Sequence, residues 1–276
     1  MSDNPLIANI EILVDEISDG ATIVLPRDHS GAPMALVRAL IRRKARDLKL
    51  MTLTSAGLSA DLLIGAGCVS EIETPGVSLG EFGPAPRFIN AIKKGLIRIK
   101  DSTCPAMHAR LQAAEKGVPF MPLRGIIGSD LLKVRPDWKV VDNPFGDGDG
   151  PIVLLPAAAP DAAIIHASIA DDHGNVWIGR RLELKTAAHA ARESFVTVER
   201  FYDGNMIEDD RYAAGVIPAL YIGRIALAEQ GAWPMAFWDK YGRDSDHLKA
   251  YAKQARSDEG FEEYLAEHIL GSKVAA

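Results

Sequence analysis

A loop with a single carboxylate is the first place where this sequence could do chemistry. Glu81 lies between two glycines in the stretch Val77-Ser-Leu-Gly-Glu-Phe-Gly-Pro84. Such a carboxylate can act as a nucleophile, as an acid or base, or as the N-cap of the helix that follows. An apolar run at 61–69 precedes the loop, and a helical pattern with Arg87 in its first turn follows it. Because strand ends and helix starts leave backbone N–H groups free, α/β folds place binding sites there.

A second polar loop joins a short apolar strand to a helix. The strand is predicted at 21–25, and the segment Pro26-Arg-Asp-His-Ser-Gly31 leads from it to a helix that starts at Pro33. Ser30 and Gly31 occupy positions where N–H groups can point out of the sheet, so the loop could bind an anion or an oxyanion. A capped helix after a strand has the same residue pattern, and both interpretations stay open at this point.

Two further constellations point to other chemistry and are less specific. The segment Gly65-Ala-Gly67 resembles the start of a dinucleotide fingerprint, but Ser70 stands where the third glycine is needed. A hydrolase triad could be assembled from polar residues in the second half, although no G-x-S-x-G elbow presents a nucleophile. Those residues are Ser168, Asp171 and His173. Turn formation explains the polar residues around the glycine there equally well.

The bulk composition limits the class of protein. The chain has 276 residues, 47% hydrophobic residues and a formal net charge of −6, which argues against a general nucleic-acid binder. Its two cysteines, Cys68 and Cys104, form no CxxC pair, so neither a disulfide framework nor a zinc site is expected. No apolar run approaches the roughly 20 residues that span a bilayer, and the first residues do not resemble a signal peptide. We therefore expect a cytoplasmic protein that does not act at a membrane.

The elements that must position these loops alternate between helix and strand. In the first half, the pattern predicts helices at 7–17 (capped by Asn4-Pro5), 33–43, 84–94 and 105–116, and strands at 21–25, 48–53, 61–64 and 96–99. Short connections between alternating elements indicate an α/β fold with a mostly parallel sheet and helices on both faces.

The second half adds strands and a helical end to the same domain. Strands are predicted at 152–155 and 162–170, and the Gly-Asn pair within 171–175 predicts a tight hairpin turn. Glycine, asparagine, aspartate and proline dominate an excursion at about 125–150, and a helical tail is predicted at about 245–270. The chain is therefore expected to form one domain, 1–276.

Taken in order, these segments resemble the A (α) subunit of family I coenzyme A (CoA) transferases, particularly the glutaconate CoA-transferase type. The resemblance covers nearly the whole chain and depends on an ordered set of motifs. They include Asp19-Gly20 with Gly31-Ala-Pro33, the segment 60–69 with 77–88, Val118-Pro-Phe-Met-Pro-Leu-Arg124, Gly128-Ser-Asp130, Pro160 to His166, Ala170 to Val176 and Val196-Thr-Val-Glu199. The resemblance implies an open, mostly parallel sheet flanked by helices, in the CoA-transferase-like (NagB/RpiA/CoA-transferase-like) fold.

The resemblance also implies a function. Such a chain assembles with a B-type subunit, as αβ or α2β2, and the enzyme moves CoA between an acyl-CoA and a carboxylic acid. The CoA thioester is a substrate, and no permanently bound cofactor or metal is implied. In the glutaconate type, the glutamate that forms the glutamyl–CoA thioester belongs to the B subunit, so Glu81 is only a weak catalytic candidate. The substrate-binding candidates are Arg27, His29, Ser30, Gly31, Ser78, Glu81 and Arg87.

Two departures from the family pattern keep alternatives open. Pro26-Arg27-Asp28 replaces the usual glycine-rich first loop, and proline has no N–H to donate, so Arg27 or His29 could take over that contact. This loss would also fit a non-catalytic scaffold subunit. The tail Tyr241-Gly-Arg-Asp244 resembles the ring-opening hydrolases of steroid breakdown, which would make the chain part of a hydrolase acting on a CoA-linked ring or β-diketone. Those relatives carry a glutamate where this chain has Asp101-Ser-Thr-Cys-Pro105.

Overall fold

A central sheet of nine strands organises the chain in the computed structural model, which describes residues 4–146, 150–238 and 240–271. The strands of these residues are β1 (Thr22–Leu25), β2 (Leu48–Thr52), β3 (Val69–Thr74), β4 (Arg98–Asp101), β5 (Phe120–Leu123), β6 (Lys139–Val141), β7 (Ile152–Pro156), β8 (Ala162–Asp171), β9 (Val176–Trp177), β10 (Glu193–Tyr202), β11 (Val216–Ile217) and β12 (Arg224–Leu227). The helices are α1 (Ile10–Asp15), α2 (Met34–Arg43), α3 (Leu58–Gly65), α4 (Pro86–Lys94), α5 (Cys104–Glu115), α6 (Leu131–Val134), α7 (Leu182–Ala190), α8 (Ser245–Gln254) and α9 (Asp258–Leu265).

Seven strands of the central sheet are parallel and follow the order β4–β3–β2–β1–β8–β10–β12. The long strand β8 pairs with β1 at its start, where Ile23 lies opposite Ala162. At its far end β8 pairs with the short antiparallel strand β9, and the predicted turn at 171–175 joins the two. The predicted α/β fold with an open, mostly parallel sheet is therefore confirmed.

Helices cover both faces of this sheet, so its central strands are buried on both sides. Alternate residues of β1 show the two layers, because Ile23 and Leu25 pack on one face and Val24 on the other. Helices α1–α4, α8 and α9 pack on the first face, while α5 and α7 pack on the second. This double burial explains why the core strands are almost continuously apolar in the sequence.

A small antiparallel sheet in the order β5–β7–β6 lies against α5. Most of the predicted excursion at 125–150 belongs to this unit, which includes α6 and β6, while residues 147–149 lie outside the described residues. Arg135 is only 2% exposed, and its guanidinium donates to Glu73 of β3 at 2.9 Å and to Asp137 at 2.8 Å. A buried, doubly paired arginine thus ties the excursion to the central sheet.

The prediction of a strand at 61–64 is wrong. These residues lie in α3, which begins at Leu58, and the next strand is β3. Seven of the eight residues of α3 are buried, including the polar Ser59 and Asp61, so the helix has no exposed polar face and shows no amphipathic period. A short, fully buried apolar run has the same sequence pattern in a helix and in a strand, which is why the pattern predicts the wrong element.

The predicted cap of the first helix also differs from the structure. Helix α1 begins at Ile10 and is capped by Asn9, whose side chain accepts from the Ile12 N–H. The side chain of Asn4 instead accepts from the N–H of Leu6, and the Leu6 carbonyl oxygen accepts from Ile225 of β12. Pairing with the edge of the sheet therefore replaces the first predicted turn of the helix.

Gly31 is the position at which the loop after β1 passes against β8. Its φ of +73° lies in the left-handed region, and a Cβ there would overlap the carbonyl oxygen of His166. The His166 N–H donates to the Gly31 carbonyl oxygen at 3.0 Å, so the two backbones are in direct contact. The loop can follow this path only with glycine at position 31.

We predict that Gly31→Ala lowers the free energy of unfolding by about 2–4 kcal/mol, because it combines left-handed strain with overpacking. Gly20→Ala is the matched control, since Gly20 has a φ of +78° but no atom within 4 Å of an added Cβ. The control should lose only the strain, about 1–2 kcal/mol. Urea denaturation measures both, and equal losses would show that the contact with His166 is unimportant.

Candidate active site

A pocket of about 370 Å³ opens at the carboxyl ends of β1, β2 and β3. The loop after each of these strands contributes one wall, at residues 27–29, 55–58 and 78–82. The fourth wall comes from the other end of the chain and consists of Met235, Arg243 and Leu248. Open α/β sheets bind their ligands at this edge, so the pocket is the candidate active site.

The loop after β1 presents side chains and backbone donors to the pocket. Arg27 and His29 line the pocket, and the N–H groups of Asp28 and His29 find no acceptor among the described residues. Ser30 is fully buried behind the loop, where its N–H donates to the Arg27 carbonyl oxygen at 2.9 Å and its hydroxyl donates to Glu183 at 2.5 Å. The loop therefore offers the donors of residues 28 and 29, whereas those of Ser30 are already used.

Asp28 joins this loop to the first turn of α3. Its Oδ2 accepts from the Leu58 N–H at 3.0 Å, and a side chain at Gly57 would overlap the carboxyl group. Its Oδ1 is buried and has no hydrogen-bond partner among the described residues. Burial raises the pKa of Asp28 to about 6, although the N–H of Leu58 acts in the opposite direction. The wall of the pocket thus contains a buried carboxyl group that holds its proton more tightly than an exposed aspartate does.

The loop after β3 carries Glu81, which pairs with the opposite wall. Arg243 donates to the Glu81 carboxylate at 2.5 Å, and its guanidinium lies 4.9 Å from the centre of the Phe82 ring. The possible role of Glu81 as a helix cap is excluded, because α4 begins at Pro86 after Ala85 and has no side-chain cap. The hydroxyl of Ser78 accepts from the Gly80 N–H at 3.1 Å and shapes the same loop.

Arg87 lies outside the pocket and holds the C-terminal helices. It is 8% exposed, and its guanidinium donates to Asp258 at 2.6 Å and to the Ser257 carbonyl oxygen at 3.1 Å. Beside it, Asp61 of α3 accepts from the Tyr251 hydroxyl at 2.6 Å. Burial raises the pKa of Asp61 to about 6 in spite of these donors. These contacts hold α8 against α3 and α4, and with it the fourth wall of the pocket.

A second polar cluster connects β8 and β10 with the segment that precedes Arg243. His166 is fully buried, and its Nε2 lies 2.7 Å from Glu199, which also accepts from the Tyr241 hydroxyl at 2.7 Å and from the Gln230 N–H at 2.9 Å. Burial lowers the pKa of His166, whereas the donors around Glu199 outweigh its burial and hold its pKa below the usual value. A neutral histidine and an ionised glutamate therefore anchor the segment that leads to Arg243.

The structure thus separates the sequence-based candidates into two groups. Arg27, His29, Ser78 and Glu81 meet in the pocket. Ser30, Gly31 and Arg87 do not line it.

Several residues of the pocket have no predicted role in the sequence. They include Asp28, Met235, Arg243 and Leu248. The one available signal is the Tyr241-to-Asp244 motif, which marks the segment that carries Arg243.

Other kinds of site find little support in the described part of the chain. It contains no group of three His, Cys, Asp or Glu side chains that could hold a metal ion. None of its helices is both long and apolar enough to cross a membrane. Cys68 is buried and Cys104 is exposed, and both are free thiols.

Comparison with known proteins agrees with this geometry. The family model described as coenzyme A transferase matches residues 7–228, which is most of the chain. This chain belongs to the coenzyme A transferase family. The family uses CoA thioesters as substrates, and the sheet that carries the pocket lies within the matched residues. The predicted family is therefore confirmed.

The individual relatives show which subunit type of a CoA transferase this chain is. The A subunit of 3-oxoadipate CoA-transferase from Pseudomonas knackmussii is 32% identical over 93% of this chain and 90% of its own length. A cholesterol ring-cleaving hydrolase subunit from Rhodococcus jostii is 30% identical over 96% of this chain and 92% of its own length. The crystal structure of glutaconate CoA-transferase from Acidaminococcus fermentans has a TM-score of 0.89 at 26% identity, covering 97% of this chain and 90% of that chain. The predicted A-subunit type is confirmed, and it implies a partner subunit.

We predict that Asp28→Asn stabilises this CoA transferase chain more at pH 7.5 than at pH 4.5. The pKa of Asp28 is about 6 in the folded protein against a usual value of 3.8. The folded state therefore binds this proton more tightly, and the carboxyl group destabilises the fold as the pH rises from about 4 to about 6. Asparagine has no such titration, so its advantage should grow by about 2 kcal/mol at most.

Urea denaturation at the two pH values checks this prediction. Asp246→Asn is the control for loss of a carboxylate without burial, because the Asp246 side chain is 96% exposed. A stability difference between Asp28→Asn and the natural chain that stays constant with pH would contradict the assignment.

Proposed function

We propose that this A-type chain works with a B-type subunit, in an αβ or α2β2 assembly, and that the nucleophilic glutamate belongs to the partner. The observation that carries the proposal is the state of Glu81, the only glutamate among the described residues that line the pocket. Its side chain is 63% exposed and is paired with Arg243 at 2.5 Å. Hydration and ion pairing both stabilise a carboxylate, which makes it a poor nucleophile.

The proposed reaction conserves the thioester bond through covalent steps. A glutamate carboxylate of the partner attacks the acyl-CoA carbonyl carbon, and the CoA thiolate leaves to give an acyl–glutamyl anhydride. The thiolate then attacks the glutamyl carbonyl, which releases the first acid and leaves a glutamyl–CoA thioester. The carboxylate of the second acid repeats the two steps in reverse and leaves with CoA. Each attack passes through a tetrahedral oxyanion, which hydrogen-bond donors stabilise.

This chain contributes donors and cations to those steps. The N–H groups of Asp28 and His29 are free within the described chain and border the pocket, so they can bind the oxyanion. They compensate for Pro26, which has no N–H. In measured cases one such donor contributes about 3–4 kcal/mol to the transition state.

The pocket favours an acyl group that carries a second carboxylate. The pocket is lined by Arg27, His29 and Arg243. The guanidinium of Arg243 is paired with the Glu81 carboxylate. A substrate carboxylate can form the same charge-assisted pair. The two CoA-transferase relatives are named for 3-oxoadipate and glutaconate, which are both dicarboxylic acids.

The hydrolase alternative is less well supported. In the ring-opening relatives the resemblance places a glutamate after the strand that corresponds to β4. Here the segment that follows β4 is Ser102-Thr103-Cys104, in which Thr103 caps α5 and no glutamate occurs. The alternative of a non-catalytic scaffold subunit depends on Pro26, which has no N–H to donate. The free N–H groups of residues 28 and 29 can replace that donor, so Pro26 no longer argues for a scaffold.

We predict that CoA becomes attached to the partner subunit when the assembled enzyme is mixed with acyl-CoA without an acceptor acid. Mass spectrometry of the denatured subunits should show the mass of CoA minus water on the partner and no change in this chain. The Glu81→Gln complex should form the same adduct and keep its activity within about tenfold. A CoA adduct on the peptide that contains Glu81 would refute the proposal.

We also predict that Arg243→Ala raises the KM for an acyl-CoA with a terminal carboxylate by about 10–100-fold, the value of one or two lost charge-assisted bonds. The KM for an acyl-CoA of equal length that ends in a methyl group should not change. Arg192→Ala is the control, because Arg192 is 77% exposed and does not line the pocket. Steady-state kinetics on both substrates gives the two KM values. If both rose by the same factor, the assignment of Arg243 to the terminal carboxylate would be contradicted.

A further inference from the structure

A groove of about 280 Å³ between α4 and the end of α8 continues from the active-site pocket. Phe82 lines both cavities, so its ring forms the boundary between them. Beyond Phe82 the groove is lined by Pro86 and Ile89 of α4 and by Ala252 of α8. Pro84, the polar Asn90 and two cations, Lys93 and Arg256, form the rest of the lining.

Helical spacing separates the apolar and the charged parts of this groove. Pro86, Ile89 and Lys93 are three and four residues apart, so they lie on one stripe of α4. Lys93 lies almost two turns, or about 10 Å, along the axis from Pro86. On the opposite side, Ala252 lies in the last turn of α8 and Arg256 lies two residues beyond the end of that helix. The groove is therefore apolar near the start of α4, next to Phe82, and positively charged near its end.

The two cations keep their charge available for a ligand. Neither Lys93 nor Arg256 forms an ion pair with any described residue, both are exposed, and no acidic residue is found among the described residues that line the groove. The neighbouring carboxylate of Asp258 is already occupied, because it accepts from the side chains of Arg87, Asn90 and Lys94. A local positive site thus remains on a chain whose net charge is −6.

We propose that this groove binds the phosphorylated nucleotide end of the CoA thioester, with Lys93 and Arg256 on its phosphate oxygens. The proposal rests on the proposed function, which places the thioester in the adjoining pocket. CoA carries its thiol on a long, uncharged pantetheine arm that ends in a phosphorylated adenosine. The arm would pass Phe82 and lie along the apolar part of the groove. Arginine and lysine are the side chains that bind phosphate most strongly.

Binding at this distance would contribute to the reaction without touching the reacting atoms. Binding energy from the unreactive end of a substrate can hold the reactive end in place. Since the contacts are exposed ion pairs with phosphate, they should weaken as the salt concentration rises. Because the phosphate contacts should be the same in the ground state and in the transition state, the groove would act mainly on the affinity for the whole thioester.

The test compares Lys93→Glu and Arg256→Glu with the natural chain in the assembled enzyme, using two thioesters of the same acid. One is the CoA thioester and the other is the pantetheine thioester, which lacks the nucleotide. We expect each variant to raise the KM for the CoA thioester about tenfold with little change in kcat, and to leave the KM for the pantetheine thioester unchanged. Lys253→Glu is the control, because it makes the same charge change on α8 at an exposed residue outside the groove.

Direct binding of free CoA, measured by calorimetry, separates this proposal from the proposed function. A tenfold weaker Kd in both variants, with an unchanged Kd for pantetheine, supports the groove even if the enzyme transfers no CoA. The groove proposal is overturned if CoA binds all variants equally, or if Lys253→Glu weakens binding as much as the two groove variants. Circular dichroism confirms that the exposed substitutions leave the fold intact.

Discussion

The buried hydrogen bond between the Tyr251 hydroxyl and the Asp61 carboxylate, 2.6 Å long, holds α8 against α3 and so joins the C-terminal helices to the first half of the chain. Its neighbour, the ion pair between Arg87 and Asp258, fixes α9 to α4 in the same way. The pocket depends on both, because three of its walls come from loops of the first half and the fourth comes from the segment around Arg243. Without this attachment the sheet would still present its loops, but the pocket would lose its fourth wall.

Acidic and cationic side chains have different roles in this structure. Asp28, Asp61 and Glu199 point inward and accept hydrogen bonds from N–H and O–H donors of neighbouring elements. Cationic side chains such as Arg27 and Arg243 instead line the pocket. These three carboxylates therefore stabilise the walls, while the pocket itself holds two arginines, of which Arg243 is paired with Glu81. The candidate pocket of a chain with a net charge of −6 thus still contains positive charge.

Much of the fold can be predicted from the sequence, but only part of the candidate site. Alternating periodic segments are sufficient for a parallel sheet, because burial of both faces leaves a clear apolar pattern in strands such as β1. Helix α3 resembles a strand in sequence, since a helix buried on all sides has no amphipathic period. The sequence favours Arg87 over Arg243 as a site residue. Local sequence does not show that Arg87 pairs with Asp258 at 2.6 Å, or that Arg243 pairs with Glu81. Such partners lie more than 160 residues away and are determined by tertiary packing.

The same attachment imposes an order in time on the folding chain. Strands β1 to β4 and helices α2 to α4 can associate as soon as the first hundred or so residues have been synthesised, since their contacts are local. Tyr251 follows Asp61 by 190 residues, so the last wall of the pocket can be added only after those 190 further residues have been synthesised. A ribosome-bound chain therefore exposes the apolar face on which α8 and α9 later pack. Chaperone binding should be concentrated on that face, and a C-terminal truncation should leave a folded sheet that aggregates.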